Sequence, residues 1–231
     1  MRFVRLTVVE MRRAVHRRLV RWMVVIAVVL CAVLGLVVFL SSSDPGKFAS
    51  DGGSPARMVN WWRPGGGDGP LLVCAMFLVV GAAICGASVA VAERRTGTMT
   101  TMLTWVPSRV LLHAARTTSA ALLSFAISFV LKALCLGATL PAILAHDTTA
   151  GTDSSWWATM LLAMSRISFV SALIAVLAVS VATIGRNTSA ALVAMAGWAL
   201  LVERLVAGFW PKVARFMIAE NVAIVVPCSE L

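Results

Sequence analysis

The sequence predicts an all-α, polytopic membrane helix bundle, and three observations carry that expectation. Hydrophobic residues make up 60% of the 231 residues and charged residues 13%, with a mean hydropathy of +0.91; ordinary soluble domains are about 45–50% apolar and about 25% charged. Five apolar runs, 19–40, 71–92, 117–145, 156–184 and 189–209, are each long enough to cross a hydrocarbon core of about 30 Å at about 1.5 Å per residue. The segments between them alternate in charge. Backbone groups in lipid must be hydrogen-bonded within their own segment, so each run is expected to be a helix. Too little chain remains for a separate catalytic domain.

The elements follow in chain order. Val4, Val8, Met11, Val15 and Leu19 recur at spacings of four and three, while Arg2, Arg5, Arg12, Arg13 and Arg17 fall largely away from that stripe. This is the pattern of an amphipathic helix lying on a membrane surface, here over residues 1–18. The first apolar run has 22 residues, more than the roughly 7–15 of a signal-peptide core, so the segment is expected to be retained. Residues 41–70 hold seven Gly, five Ser and four Pro with balanced charge, a flexible neutral loop. The third and fourth runs, at 29 residues each, must tilt, kink or extend beyond the bilayer, and Pro141 is expected to end the third early. Residues 216–227 are apolar but too short to cross and are broken by Glu220-Asn221, which reads as an interfacial or re-entrant piece.

Charge orients the bundle. The net charge of +10 is mostly arginine, and Arg2, Arg5, Arg12, Arg13, Arg17, Arg18 and Arg21 precede or open the first run. There they suit anionic headgroups, and no nucleic-acid module fits outside the apolar runs. Residues 93–116 carry Arg94, Arg95, Arg109 and Arg116 against Glu93, the turn 185–188 carries Arg186, and residues 146–155 carry Asp147 and Asp153 with no Lys or Arg. The positive-inside rule places the N-terminus, 93–116 and the Arg186 turn in the cytoplasm. The 41–70 loop, the Asp147/Asp153 loop and the 210–231 tail then lie outside. Seven of the eight Trp, with Trp198 the exception, fall at or near predicted span ends, as amphipathic rings prefer.

Catalytic and cofactor signals are missing from the sequence. There is no GxxxxGK[ST], HExxH or GxSxG, and His16, His113 and His146 are far apart, so neither an enzyme nor a nucleotide site is expected in this chain. Cys31, Cys74, Cys85, Cys135 and Cys228 form no CxxC pair and four lie inside apolar runs, implying small hydrophobes rather than zinc or disulfides. Ala82, Gly86 and Ala90, four apart, would let a neighbouring helix approach closely. Lys132, Arg166, Glu203 and Arg204 fall inside predicted spans, where each charge costs about 2.5–3.5 kcal/mol at mid-membrane. Such a cost demands partners, so Glu203 is expected to pair with Arg166 or Lys132, with the surplus positive charge facing a water-filled cavity; snorkelling toward the outer interface, with Arg204 five residues from Phe209, is the alternative reading.

The 93–109 stretch is the most informative. Thr98 can cap a short helix in which Met99, Met102, Leu103 and Val106 share a face, ended by Pro107. Methionines suit a surface that accepts another protein; an interfacial anchor helix is the alternative reading.

The run Gly86-Ala87-Ser88 through Glu93-Arg94-Arg95-Thr96-Gly97-Thr98-Met99-Thr100-Thr101-Met102-Leu103-Thr104-Trp105-Val106-Pro107-Ser108-Arg109 resembles the corresponding stretch of type-2 ABC transporter permeases of an actinobacterial-type branch. Weaker matches are Trp61-Trp62-Arg63-Pro64, Gly151-Thr152-Asp153, Gly185-Arg186-Asn187-Thr188 and Glu220-Asn221-Val222-Ala223. The resemblance implies one permease domain over 1–231, with an N-terminal elbow helix and a coupling helix that docks on a separate, ATP-binding ATPase subunit. Glu93, Arg95, Gly97, Thr98, Met99, Met102 and Leu103 would carry that coupling. A second permease chain, identical or not, would complete an exporter in the plasma membrane. The family has a sixth span after the Glu220–Asn221 region, where this chain ends at Leu231, so a truncated permease or a non-transporting membrane scaffold is the alternative expectation. An ion-coupled carrier, marked by intramembrane charge, is a third.

Overall fold

The computed structural model describes residues 2–42, 70–95, 109–146, 153–185 and 187–198. Among them are six helices and no strands: α1 Arg2–Val15, α2 Arg18–Ser42, α3 Pro70–Arg95, α4 Arg109–His146, α5 Ser154–Gly185 and α6 Thr188–Gly197. Each predicted apolar run coincides with a helix as far as the described residues reach. Three stretches, Arg18–Leu40, Val110–Ala145 and Ser154–Gly185, are long and apolar enough to cross a membrane. Phe77–Ala90 within α3 and the whole of α6 are shorter apolar stretches. The loop 43–69, the connection 96–108 and residues 199–231, with the tail and the second half of the fifth run, lie outside the described residues.

Two boundaries differ from expectation. Helix α4 begins at Arg109, earlier than the apolar run at 117, and continues past Pro141 to His146. Proline forfeits the bond to the carbonyl four residues back; here that residue is Gly137, whose missing side chain leaves room for adjustment, and both lie on the exposed face of α4. At about 1.5 Å per residue, α4 is roughly 57 Å long and α5 roughly 48 Å, so both outrun a hydrocarbon core of about 30 Å.

Successive helices from α2 to α5 run antiparallel, since the start of α2 meets the end of α3 and opposite ends of α3, α4 and α5 cluster together; α5 packs against α3, α4 and α6, and α4 also against α2 and α1. At one end Ala87 and Ala90 of α3, Ala120 of α4, Ala178, Val179 and Ala182 of α5 and Ala191 of α6 form a core of small residues. At the other, Ala75, Ile143, Met160, Met164 and Ile167 meet with Phe129, Leu136 and Trp156 around them. Small residues bring backbones close: a Cβ placed on Gly86 would lie 2.5 Å from the Ala175 carbonyl oxygen, and one on Gly35 would lie 2.5 Å from that of Ala138. Gly86 and Ala90 of the expected small-residue stripe therefore face α5.

Polarity is arranged inside out relative to a water-soluble bundle. Ser119, Ser124, Ser128, Lys132, Thr139, Ser168 and Ser171 are buried, while Val25, Val29, Leu36, Val37 and Leu40 of α2 and Phe169 and Leu173 of α5 are exposed. A bilayer would cover such a surface, and contiguous exposed apolar faces of this extent are rare on soluble monomers. Three buried hydroxyls are satisfied within their own helices: Ser119 donates to the Arg116 carbonyl (2.9 Å), Thr139 to Leu136 (2.9 Å) and Ser171 to Ile167 (3.0 Å). This is the usual way of carrying Ser and Thr through an apolar medium.

Candidate functional site

Helix α1 turns its apolar stripe away from the bundle. Val4, Val8, Val15 and Leu19 are exposed, while Thr7, Glu10 and Ala14, spaced three and four apart, are buried and seat α1 on α4. Glu10, 3% exposed, is the anchor of this face. Its Oε1 lies 3.7 Å from Nη1 of the half-exposed Arg13, an i,i+3 pair, and Arg17 and Arg116 of α4 are both within its electrostatic reach. Burial pulls the Arg17 guanidinium below its ordinary value; the Glu10 carboxylate opposes this and Arg13 adds to it. Arg17 occupies the two-residue junction between α1 and α2, and its Nη1 donates to the Ser88 carbonyl of α3 at 2.7 Å. The Ser88 hydroxyl turns back to the Cys85 carbonyl at 2.7 Å. A carboxylate buried with arginines is held there by Coulomb attraction that water would otherwise screen. The result is a clamp joining α1, α3 and α4 at the end of the bundle where the 96–108 connection attaches.

A second polar seam runs between α4 and α5. Lys132, fully buried, donates from Nζ to the Met164 carbonyl at 2.7 Å and to Ser168 Oγ at 2.8 Å. One turn away the Ser128 hydroxyl meets that of Ser171 at 3.2 Å. A buried ammonium is tolerated when oxygens replace its hydration shell, and two of them stand on one face of α5. Lys132 has no accessible surface; its expected pairing with Glu203 falls outside the described residues. Arg166 lies on the outward face of α5, so the two cations named as alternative partners of Glu203 stand on different sides of that helix.

Of the other expected site residues, Glu93 and Arg95 fall in the last turn of α3. Gly97, Thr98, Met99, Met102, Leu103, Glu203 and Arg204 lie outside the described residues. The clamp, in contrast, escaped sequence reading. Its signal is that Glu10 is the first acid in an arginine-rich segment and sits off the apolar stripe, a position with no reason to be acidic on a surface helix bound to anionic lipid. Cys31, Cys74 and Cys135, separate in sequence, converge where α2, α3 and α4 meet. Comparison with family models, with curated proteins and with solved structures finds no match to this chain.

Proposed function

We propose that the chain is the membrane-spanning permease subunit of an ATP-driven ABC exporter of the plasma membrane. It crosses five times, with α1 as a cytoplasmic elbow helix, ATP is bound by a separate ATPase, and a second permease chain completes the translocation path. The observation that carries this reading is the clamp. Arg17 ties the α1–α2 junction to Ser88, inside the Gly86-to-Arg109 stretch on which the resemblance rests. Any force on the 96–108 connection would therefore reach α3 and α1 together, which is what coupling to an ATPase requires. The inside-out polarity of the bundle supports the membrane setting.

Two measurements test it. Single cysteines placed in a background lacking the native ones, labelled with a membrane-impermeant maleimide in intact cells, should react at positions 66 and 153 and stay silent at 98 until the cells are opened. Labelling at 98 and not at 66 would reverse the topology. Co-purification with the ATPase encoded in the same gene neighbourhood should fall about tenfold or more for Glu93→Lys or Met102→Asp, since a charge forced into an apolar contact costs on the order of 2 kcal/mol. Recovery of the ATPase at wild-type yield by the double variant would leave the short helix an interfacial anchor and the chain a scaffold.

A further inference from the structure

The sulfurs of Cys31, Cys74 and Cys135 all lie within 4.8 Å of one another, and all three residues are buried. They come from three helices, α2, α3 and α4, at the same depth. We propose that this trio is a binding site for a soft d10 metal cation, either a divalent ion of the zinc group or monovalent copper.

Geometry is the first argument. Metal–sulfur bonds of about 2.3 Å place the sulfurs of a trigonal site roughly 4 Å apart, so the observed spacing needs only a small contraction. Softness is the second. The sulfurs are lined by Leu78 and Leu131 with no carboxylate or imidazole joining them among the described residues, and thiolate-only sites select soft cations over calcium or magnesium.

Charge is the third. Binding a divalent ion releases three thiol protons to solvent and leaves the metal-thiolate unit with one net negative charge. Monovalent copper held by two of the thiolates, the third remaining a thiol, releases two protons and leaves the same charge. Lys132 stands close enough to Cys74 to interact electrostatically, and its ammonium cancels that charge in either case. A buried charge balanced in this way avoids much of the penalty of an isolated ion in an apolar interior. It also gives Lys132, whose hydrogen-bond acceptors among the described residues are the neutral oxygens of Met164 and Ser168, a negative charge to balance.

Room and positioning complete the site. A cavity of about 200 Å³ between α2 and α3 is lined by all three cysteines and bordered by Val37 and Phe77. It leaves space for an ion beside the sulfurs, and its apolar wall keeps competing water ligands away. The Cys31 thiol is oriented by the Leu131 carbonyl of α4 at 3.7 Å, close contact that holds the α2 ligand toward the other two. The site does not depend on the permease reading; a scaffold could hold it equally.

The test uses the full chain in detergent, kept reduced and titrated with cadmium, read by sulfur-to-metal charge-transfer absorption. A saturable band at one ion per chain, displaced by monovalent copper, is the expected result. Cys31→Ala, Cys74→Ala or Cys135→Ala should each weaken binding tenfold or more, while Cys85→Ala leaves it unchanged. Lys132→Met should weaken it on the order of tenfold, the effect of a unit charge at about 10 Å in an effective dielectric of about 20. Thermal unfolding supplies a second readout that does not rely on absorption: cadmium should raise the Tm of the wild type and not that of the triple alanine variant. Absence of a saturable band in folded wild-type protein, or an undiminished band in the triple variant, would overturn the proposal.

Discussion

Replacing Gly86 with Val is expected to cost about 3 kcal/mol or more and to separate α3 from α5. A Cβ at this position would lie 2.5 Å from the Ala175 carbonyl oxygen and 3.1 Å from both its carbonyl carbon and its Cα. All three atoms are backbone of a neighbouring helix, so no rotamer change relieves the contact. Relief requires moving one helix bodily, which opens the contacts that Ala87 and Ala90 make with Ala178, Val179 and Ala182. Overpacking in a core that can adjust costs about 1–3 kcal/mol; where only backbone can yield, the upper end applies. Gly81 supplies the control on the same helix, because a Cβ there meets nothing within 4 Å. Gly81→Ala should be neutral or stabilising by about 0.5–1 kcal/mol, since alanine loses less backbone entropy in a helix. Thermal midpoints of the two variants in one detergent decide the matter. Equal stability would mean that α3 and α5 do not approach as closely at Gly86 as the backbone places them.

Glu10→Ala should be the most damaging change outside the helix core, at about 3–5 kcal/mol, the usual consequence of leaving buried cations without their acid. Glu10 itself is 3% exposed and Arg116 5%, so solvent cannot replace the lost carboxylate. Arg13→Ala should cost far less, within about 0.2–1 kcal/mol, because that arginine is half exposed and its contact is long at 3.7 Å. Glu10→Gln, which keeps the shape and loses the charge, should fall between them. Damage at the clamp has a local signature as well as a global one. Once α1 lifts from α4, the Arg12–Arg13 peptide bonds become substrates for trypsin under conditions in which the wild type survives. Rapid cleavage of the wild type at the same rate as Glu10→Ala would show that the buried carboxylate does not hold α1 in place.

The helices were legible in the sequence because the signals that make them are local. Runs of apolar residues longer than 20 demand internal hydrogen bonding in lipid, and that demand is met by each segment alone, whatever its neighbours do. Even the start of α6 is marked locally: Asn187 caps it by accepting from the Ser189 amide at 3.0 Å. The surplus of positive charge at the N-terminus and in the 93–116 connection is equally a property of short segments. The boundaries of α4 were missed because residues 109–116 are helical by continuation from the bundle, where Leu112, Ala115 and Arg116 are buried, and not by hydropathy.

Rotation of each helix about its own axis was decided only by tertiary structure. In water, an apolar stripe says which face turns inward. In lipid, the surroundings are as apolar as the core, so hydropathy loses that information. That Thr7, Glu10 and Ala14 seat α1 on α4, that Lys132 finds Met164 and Ser168 on α5, and that cysteines 43 and 61 residues apart along the chain, Cys31 to Cys74 and Cys74 to Cys135, end up within reach of one ion are therefore tertiary outcomes. What the sequence determined by itself is where the chain is helical and how much of it suits a membrane. Packing of small residues and pairing of buried polar groups set which side chains meet, because those interactions exist only between segments.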